Sequence, residues 1–175
     1  MPDHYYTQTP TSAHKPGQVD FLWRGAKLVF ETDSGVFSRT EIDKGTEILL
    51  NALPEELTGS LLDMGCGYGV IGVTLGKRYP GLSVVMSDVN ERAVELSRRN
   101  AQRNGVPARV MQSDGYADVP FQRMDWIVQN PPIRAGKSVI YAMFAEGARR
   151  LEPSGELWLV IRKQQGAESA VRYLK

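Results

Sequence analysis

Residues 61–72 read Leu61-Leu62-Asp63-Met64-Gly65-Cys66-Gly67-Tyr68-Gly69-Val70-Ile71-Gly72. A short apolar strand runs into three alternate glycines and then into a helix. Glycines at this junction permit a tight turn and close backbone approach by a ligand. The N–H groups that open a helix favour an anionic group on that ligand. The same residues hold a second register, since Gly67-Tyr68-Gly69-Val70-Ile71-Gly72 matches the dinucleotide pattern G-x-G-x-x-G. Two features oppose that register. Asp63 stands in the strand end, where a dinucleotide fold needs no carboxylate, and the glycine cluster begins earlier, at Gly65.

Downstream, short apolar runs alternate with helical stretches. Strands are expected at 61–64, 83–87, 108–111, 125–129 and 156–161, and helices at about 69–79, 91–104, 138–150 and 164–174. In the second of these helices, Ala93, Val94 and Leu96 make an apolar side and Asn104-Gly105 is a stop signal. This alternation predicts an α/β fold of Rossmann-like, doubly wound type: a mainly parallel sheet with helices on both faces. Upstream, Phe21 and Trp23 alternate, Gly25 marks a turn, and Leu28 and Phe30 alternate again, so 19–32 reads as a small strand pair. A helix over about 43–53 ends at Pro54. Residues 1–18, rich in Pro and polar residues, read as a flexible lead-in to a single domain over 19–175. His4 and His14 in this tail read as inert.

In such sheets ligands sit at the carboxyl ends of the strands. Four strand ends carry chemistry. The first is the glycine loop, with Asp63, Gly65, Cys66, Gly67 and Gly69. The second is Asp88, with Val89 beside it, 23 residues after Gly65. A carboxylate there suits two ribose hydroxyls. The third is Ser113-Asp114-Gly115, which offers a side chain to an adenine amino group, although an Asp-Gly pair also makes a plain turn. The fourth is Asn130-Pro131-Pro132-Ile133. Two prolines stiffen the backbone and delete two N–H donors. The Pro131 carbonyl and the Asn130 side chain then stand as two neutral acceptors, suited to a planar exocyclic amine.

Asp63–Gly69, Asp88, Asp114 and 130–133, in this order, resemble class I S-adenosylmethionine-dependent methyltransferases, and Asn-Pro-Pro resembles those acting on exocyclic or amide nitrogens. The likeness continues through Gly35-Val36-Phe37-Ser38-Arg39, Asp43, Gly45, Leu49-Leu50, Gly105-Val106 and Gly155-Glu156-Leu157. Together these are similar to the small-subunit ribosomal RNA guanine-N2 methyltransferase C family, the methyltransferase small domain, over about residues 20–170. The resemblance implies an enzyme that uses S-adenosyl-L-methionine and acts on RNA, ribosomal RNA foremost, with guanine N2 as target; adenine N6 and a protein glutamine are the alternatives. It implies that Gly65, Gly67 and Gly69 pack the methionine part and that Asp63 lies near its ammonium. Asp88, Val89, Ser113 and Asp114 would hold the adenosine, and Asn130 would reach both cofactor and target. Arg134 and Lys137 would meet RNA phosphates. Many amine methyltransferases carry Tyr or Phe where Ile133 stands, so Phe37 or Tyr141 is expected to supply stacking. Family members usually continue with an antiparallel strand pair, which this chain is expected to lack.

The bulk properties exclude several classes. The chain has 175 residues, 42% hydrophobic and 23% charged, with net charge +1. That is too apolar and too weakly charged for a disordered chain. The longest apolar runs, such as 157–161, are far short of the roughly 20 residues that span a membrane. No signal-peptide pattern opens the chain, so a cytoplasmic protein is expected. One cysteine argues against a four-ligand metal cage, and no metal is expected. Arg98, Arg99, Arg103, Arg149 and Arg150 read as solvated helix positions. Two rival classes are a nicotinamide oxidoreductase on the overlapping glycine pattern and a cofactor-binding RNA module without turnover. The first lacks a visible hydride-transfer acid and a second domain.

Overall fold

The computed structural model describes residues 7–175; residues 1–6, with His4, lie outside the described residues. Five strands form one parallel sheet: β3 (Ser60–Met64), β4 (Ser83–Asp88), β5 (Ala108–Gln112), β6 (Met124–Gln129) and β7 (Leu151–Leu159), in the spatial order β5-β4-β3-β6-β7. The chain steps outward from β3 to β5 and then returns to β3's other side for β6. That reversal is the topological switch. It also sends the crossover helices to opposite faces. Helices α2 (Val70–Arg78) and α3 (Glu91–Arg103) follow β3 and β4, and α4 (Lys137–Arg149) joins β6 to β7.

Alternation along each strand divides the core. Leu61, Val84, Met86 and Val128 pack with α2, α3 and α1 (Lys44–Ala52) in one apolar cluster. Leu62, Met64 and Ile127 point the other way, and α4 and α5 (Ala167–Leu174) add Ile140, Phe144 and Ala170 on that side. Burial on both faces is what a parallel sheet requires.

The strand pair is β1 (Gly17–Trp23) with β2 (Ala26–Thr32), joined by Arg24 and Gly25, both with positive φ. Two such residues give the tight turn that matches strand twist. The free edge of β2 lies along α3. Asn100 exchanges two hydrogen bonds with the Glu31 backbone (2.7 and 2.9 Å), and Asn104 does the same with Val29 (3.0 and 2.9 Å). Residues four apart share one helix face, so these two asparagines cover the edge that would otherwise stay open.

Three elements differ from expectation. β7 begins at Leu151, not near residue 156, and its pairing slips between Met124 and Trp126. Pro153 and Gly155 lie within it, in an irregular strand start pressed on β6. A Cβ at Gly155 would sit 2.7 Å from the Met124 carbonyl oxygen. The last helix starts only at Ala167, after a separate turn over residues 163–165. Residues 12–15 are tied to the domain: His14 and the Lys15 N–H bond to Asp33, and Arg92 bonds to Ser12.

Candidate functional site

A cavity of about 290 Å³ opens at the carboxyl edge of the sheet, beside the β3/β6 reversal. This is close to the lower bound for small-molecule sites. One end is built by the glycine loop. Gly65, Gly67 and Gly69 have φ of 73°, 56° and 97°, a region that other residues rarely adopt. A Cβ at Gly65 or Gly67 would meet nothing within 4 Å, so both present open backbone surface to the cavity. At Gly69 it would press on Ser97 and Val73, so this glycine lets α2 and α3 pack. Four of the loop's N–H groups are engaged: Gly65 and Cys66 donate to the Ser87 carbonyl, Gly67 to Asp88 and Gly69 to Cys66. It offers a ligand shape and conformation more than donors.

Two buried carboxylates support this end. Asp88 lines the cavity; Oδ2 accepts from the Gly67 N–H at 2.8 Å and Oδ1 from the Asn90 N–H at 2.9 Å. Burial raises its pKa from 3.8 to about 6, against the pull of these bonds. Asp63 is 1% exposed and accepts from the Gly72 N–H at 2.9 Å, while its Oδ1 has no partner. It therefore caps the first turn of α2, whose N-cap residue, Gly69, has no side chain to do so. Burial and then Asp88 raise its pKa to about 7. Burial also pushes the Cys66 thiol up, so it stays protonated and packs against Ser97.

The other end is built by 130–132 and by α1. Asp43 is the N-cap of α1 and accepts from the Thr46 N–H at 2.9 Å. Asn130 Nδ2 donates to Asp43 Oδ2 and to Thr46 Oγ1, both at 3.0 Å. With its nitrogen held there, the Asn130 amide has its carbonyl oxygen left to give the cavity. Pro131 and Pro132 line the cavity next to it. Above lies the loop carrying Val36, Phe37 and Ser38, held by Tyr68, whose hydroxyl donates to the Ser38 carbonyl, and by Asn90, which donates to the Gly35 carbonyl. Phe37 (42% exposed) and Val139 of α4 (46%) line the cavity while still reaching solvent.

This arrangement has known relatives. The family model of the methyltransferase small domain matches residues 27–174. The chain belongs to the methyltransferase small domain family. That makes it a methyltransferase with S-adenosylmethionine as cofactor, and the donor set fits: an open glycine cradle, a carboxylate at the end of the neighbouring strand and Asp114 in the loop just after the next. It is 44% identical to the uncharacterized protein YbxB of Bacillus subtilis (strain 168), over 100% of this chain and 89% of that one. It is 42% identical to ribosomal RNA small subunit methyltransferase C of Hahella chejuensis, over 90% of this chain but 49% of that protein. Among solved structures, the T. thermophilus 16S rRNA N2 G1207 methyltransferase (RsmC), in complex with AdoMet and guanosine, superposes with TM-score 0.75. That match has 29% identity and covers 86% of this chain and 43% of that one. The chain thus spans about half the length of the methyltransferase C relatives.

Within the methyltransferase small domain fold, the expected site residues divide. Gly65, Cys66, Gly67, Asp88, Val89, Ser113, Asp114, Asn130, Pro131, Pro132 and Phe37 line one cavity. Asp63 and Gly69 stand behind it, bracing α2. Ile133 packs partly buried with Ile140 and Phe144. Arg134 and Lys137 are exposed beyond the cavity lining. Tyr141 is taken up by Tyr173, with rings stacked at 4.3 Å, so of the two expected stacking residues only Phe37 reaches the cavity. Missed as site residues were Thr46, Tyr68, Val139 and Met143, and Asp43 was noted without a role. The cue for Asp43 and Thr46 was the capping pattern itself: an Asp followed three residues later by Thr, opening a helix that the glycine loop must face. Among the described residues, no cluster of His, Cys, Asp or Glu is placed to hold a metal, and no helix is long and apolar enough to cross a membrane.

Proposed function

We propose that this domain methylates an exocyclic amine of an RNA base, guanine N2 of ribosomal RNA foremost. The observation that carries the reading is the Asn130 amide, whose nitrogen is held by Asp43 and Thr46 so that its oxygen is the group left for a target. Two fixed acceptors, Asn130 Oδ1 and the Pro131 carbonyl, suit the two hydrogens of an amine. Holding both draws the nitrogen lone pair out of ring conjugation and fixes the face it presents. The nitrogen needs no strong base, because it sheds a proton readily once it is cationic. Bound S-adenosylmethionine supplies an electrophilic methyl on a sulfonium. Gly65, Cys66 and Gly67 would bear its methionine part. Asp88 would accept from the ribose hydroxyls, with Val89, Ser113 and Asp114 beside the adenine. In-line placement and exclusion of water are then the protein's main contribution.

Phe37, apolar and partly solvent-facing, would stack on the target base, worth roughly 1–3 kcal/mol. A base inside a duplex does not reach such a cavity, so the target is unpaired or flipped. Arg134 and Lys137, exposed just past the Asn-Pro-Pro turn, would meet the phosphates. The names of the methyltransferase C relatives and the guanosine in the T. thermophilus structure support this substrate. An RNA target goes with a cytoplasmic site of action. The test is transfer from methyl-labelled S-adenosylmethionine to RNA from cells lacking the gene, followed by nucleoside analysis. N2-methylguanosine is expected. N6-methyladenosine would overturn the base assignment, and label found only in protein would overturn RNA as the substrate.

A further inference from the structure

We infer that Asp43 and Thr46 are positioning residues that set the polarity of the Asn130 amide, restricting the target to a group that donates hydrogens. This rests on the amine methyl transfer proposed above. The three side chains form a closed triangle. Asn130 Nδ2 lies 3.0 Å from both Asp43 Oδ2 and Thr46 Oγ1, and the Thr46 hydroxyl donates back to Asp43 Oδ2 at 3.5 Å. An ionised carboxylate has no hydrogen to give. With the Thr46 hydrogen turned to Asp43, the hydroxyl offers Asn130 a lone pair. Both partners therefore demand the NH₂ end of the amide. The flipped amide would set its oxygen 3.0 Å from the carboxylate oxygen, acceptor against acceptor. It would also aim N–H groups at the target amine, which presents hydrogens of its own.

Capping does not explain the arrangement. Asp43 already satisfies the Thr46 N–H of α1 without Asn130. The contact to Asn130 joins residues 87 apart in sequence, at one end of the cavity that all three line. Its surroundings keep the carboxylate available. Arg162 Nη2 stands 3.9 Å from Asp43 Oδ1, away from Oδ2. Gly45 leaves the space beside Oδ2 open; a Cβ there would lie 2.9 Å from it and 3.6 Å from Val160.

Two substitutions separate capping from polarity. Asp43→Ser keeps an equally good N-cap but is too short to hold Asn130. Thr46→Val removes one acceptor and leaves the backbone bond intact. Each should lower single-turnover methyl transfer on the order of 10- to 100-fold, the usual effect of a small misplacement. The melting temperature and the S-adenosylhomocysteine dissociation constant should move far less. In an Asn130→Ala background, Asp43→Ser should cost nothing further, since coupled residues are not additive. An equal loss in both backgrounds, or no loss in the parent, overturns the inference. If the parent transfers no methyl group to RNA, the failure lies with the proposed function, and the side-chain amide decides the inference by itself. The two Nδ2 hydrogens of Asn130, assigned by their absence in Asn130→Ala, should exchange slowly with solvent in the parent and quickly in Asp43→Ser. Equal protection in the two proteins contradicts it.

Discussion

The two ends of the cavity are made by different means. At the glycine end the ligand surface is backbone, contributed by one contiguous loop, and the side chains beneath it are buried carboxylates that hold N–H groups in place. At the Asn130 end a side-chain amide stands beside the Pro131 carbonyl, and its geometry depends on residues that meet only after α1 has packed beside β6. The first end is set by conformation; the second is set by donor and acceptor polarity. A cofactor that is the same in every turnover suits the former. Selecting one amine among the many polar edges of a nucleic acid requires the latter. Binding and chemistry should therefore separate under mutation.

The largest effect should come from Asn130→Asp. It keeps the shape but sets a second carboxylate about 3 Å from Asp43, and like charges at that separation disfavour each other's ionisation. The loop must shift or take up a proton. Methyl transfer should fall on the order of 10²- to 10³-fold, comparable to losing one preorganised catalytic hydrogen bond. The check is a single-turnover rate on mapped RNA. Near-parent transfer by this variant would erase the distinction between the two ends.

Asp88→Ala should sharpen the contrast from the other side. Losing charge-assisted hydrogen bonds costs roughly 1.5–3 kcal/mol, read by calorimetry as weaker S-adenosylhomocysteine binding. Some of this loss will come through the Gly67 turn, which Asp88 also holds. Once saturated with cofactor, the variant should regain most of its methyl transfer, whereas Asn130 variants should not.

A smaller effect concerns pH. Ribose hydroxyls donate best to an ionised Asp88, whose pKa is raised to about 6. S-adenosylhomocysteine affinity should hold above that value and decline as pH falls through it, and Asp88→Asn should flatten the step. Stability of the empty domain should run the opposite way. The folded-state values of Asp88 and Asp63, about 6 and 7, lie above the ordinary 3.8. The folded state therefore binds more protons than the unfolded one between 3.8 and about 7, and these two groups subtract stability as pH rises through that window. Denaturant midpoints across the same range, with Asp63→Asn as the comparison, measure it.

The glycine end was largely legible in the sequence. A strand, three alternate glycines, a helix and an acid 23 residues on are local signals, and local signals survive without a structure. The same holds for the strand pair, where Gly25 sits at a turn that needs positive φ. What was not legible is direction and distance. Asp63 ends a strand, and its identity alone does not say whether it faces a ligand or a helix. Pleating puts it on the Leu61 side, where the Gly72 N–H needs an acceptor. Gly69 belongs to the motif yet serves α2–α3 packing. The Asn130 turn was legible as two acceptors, but not what orients them, because Asp43 and Thr46 lie more than 80 residues away. The early start of β7 was hidden because Pro153 and Gly155 usually end strands.

The most direct test of the separation between the two ends is a paired measurement on Asn130→Ala: the dissociation constant for S-adenosylhomocysteine and the single-turnover rate of methyl transfer, on the same preparation. An interaction made mainly in the transition state lowers the rate and spares ground-state binding. The expected result is cofactor affinity close to the parent's, with transfer reduced on the order of 10²- to 10³-fold. Transfer within a few-fold of the parent would make the Asn-Pro-Pro turn a rigid strand end with no part in the chemistry, and would contradict the account.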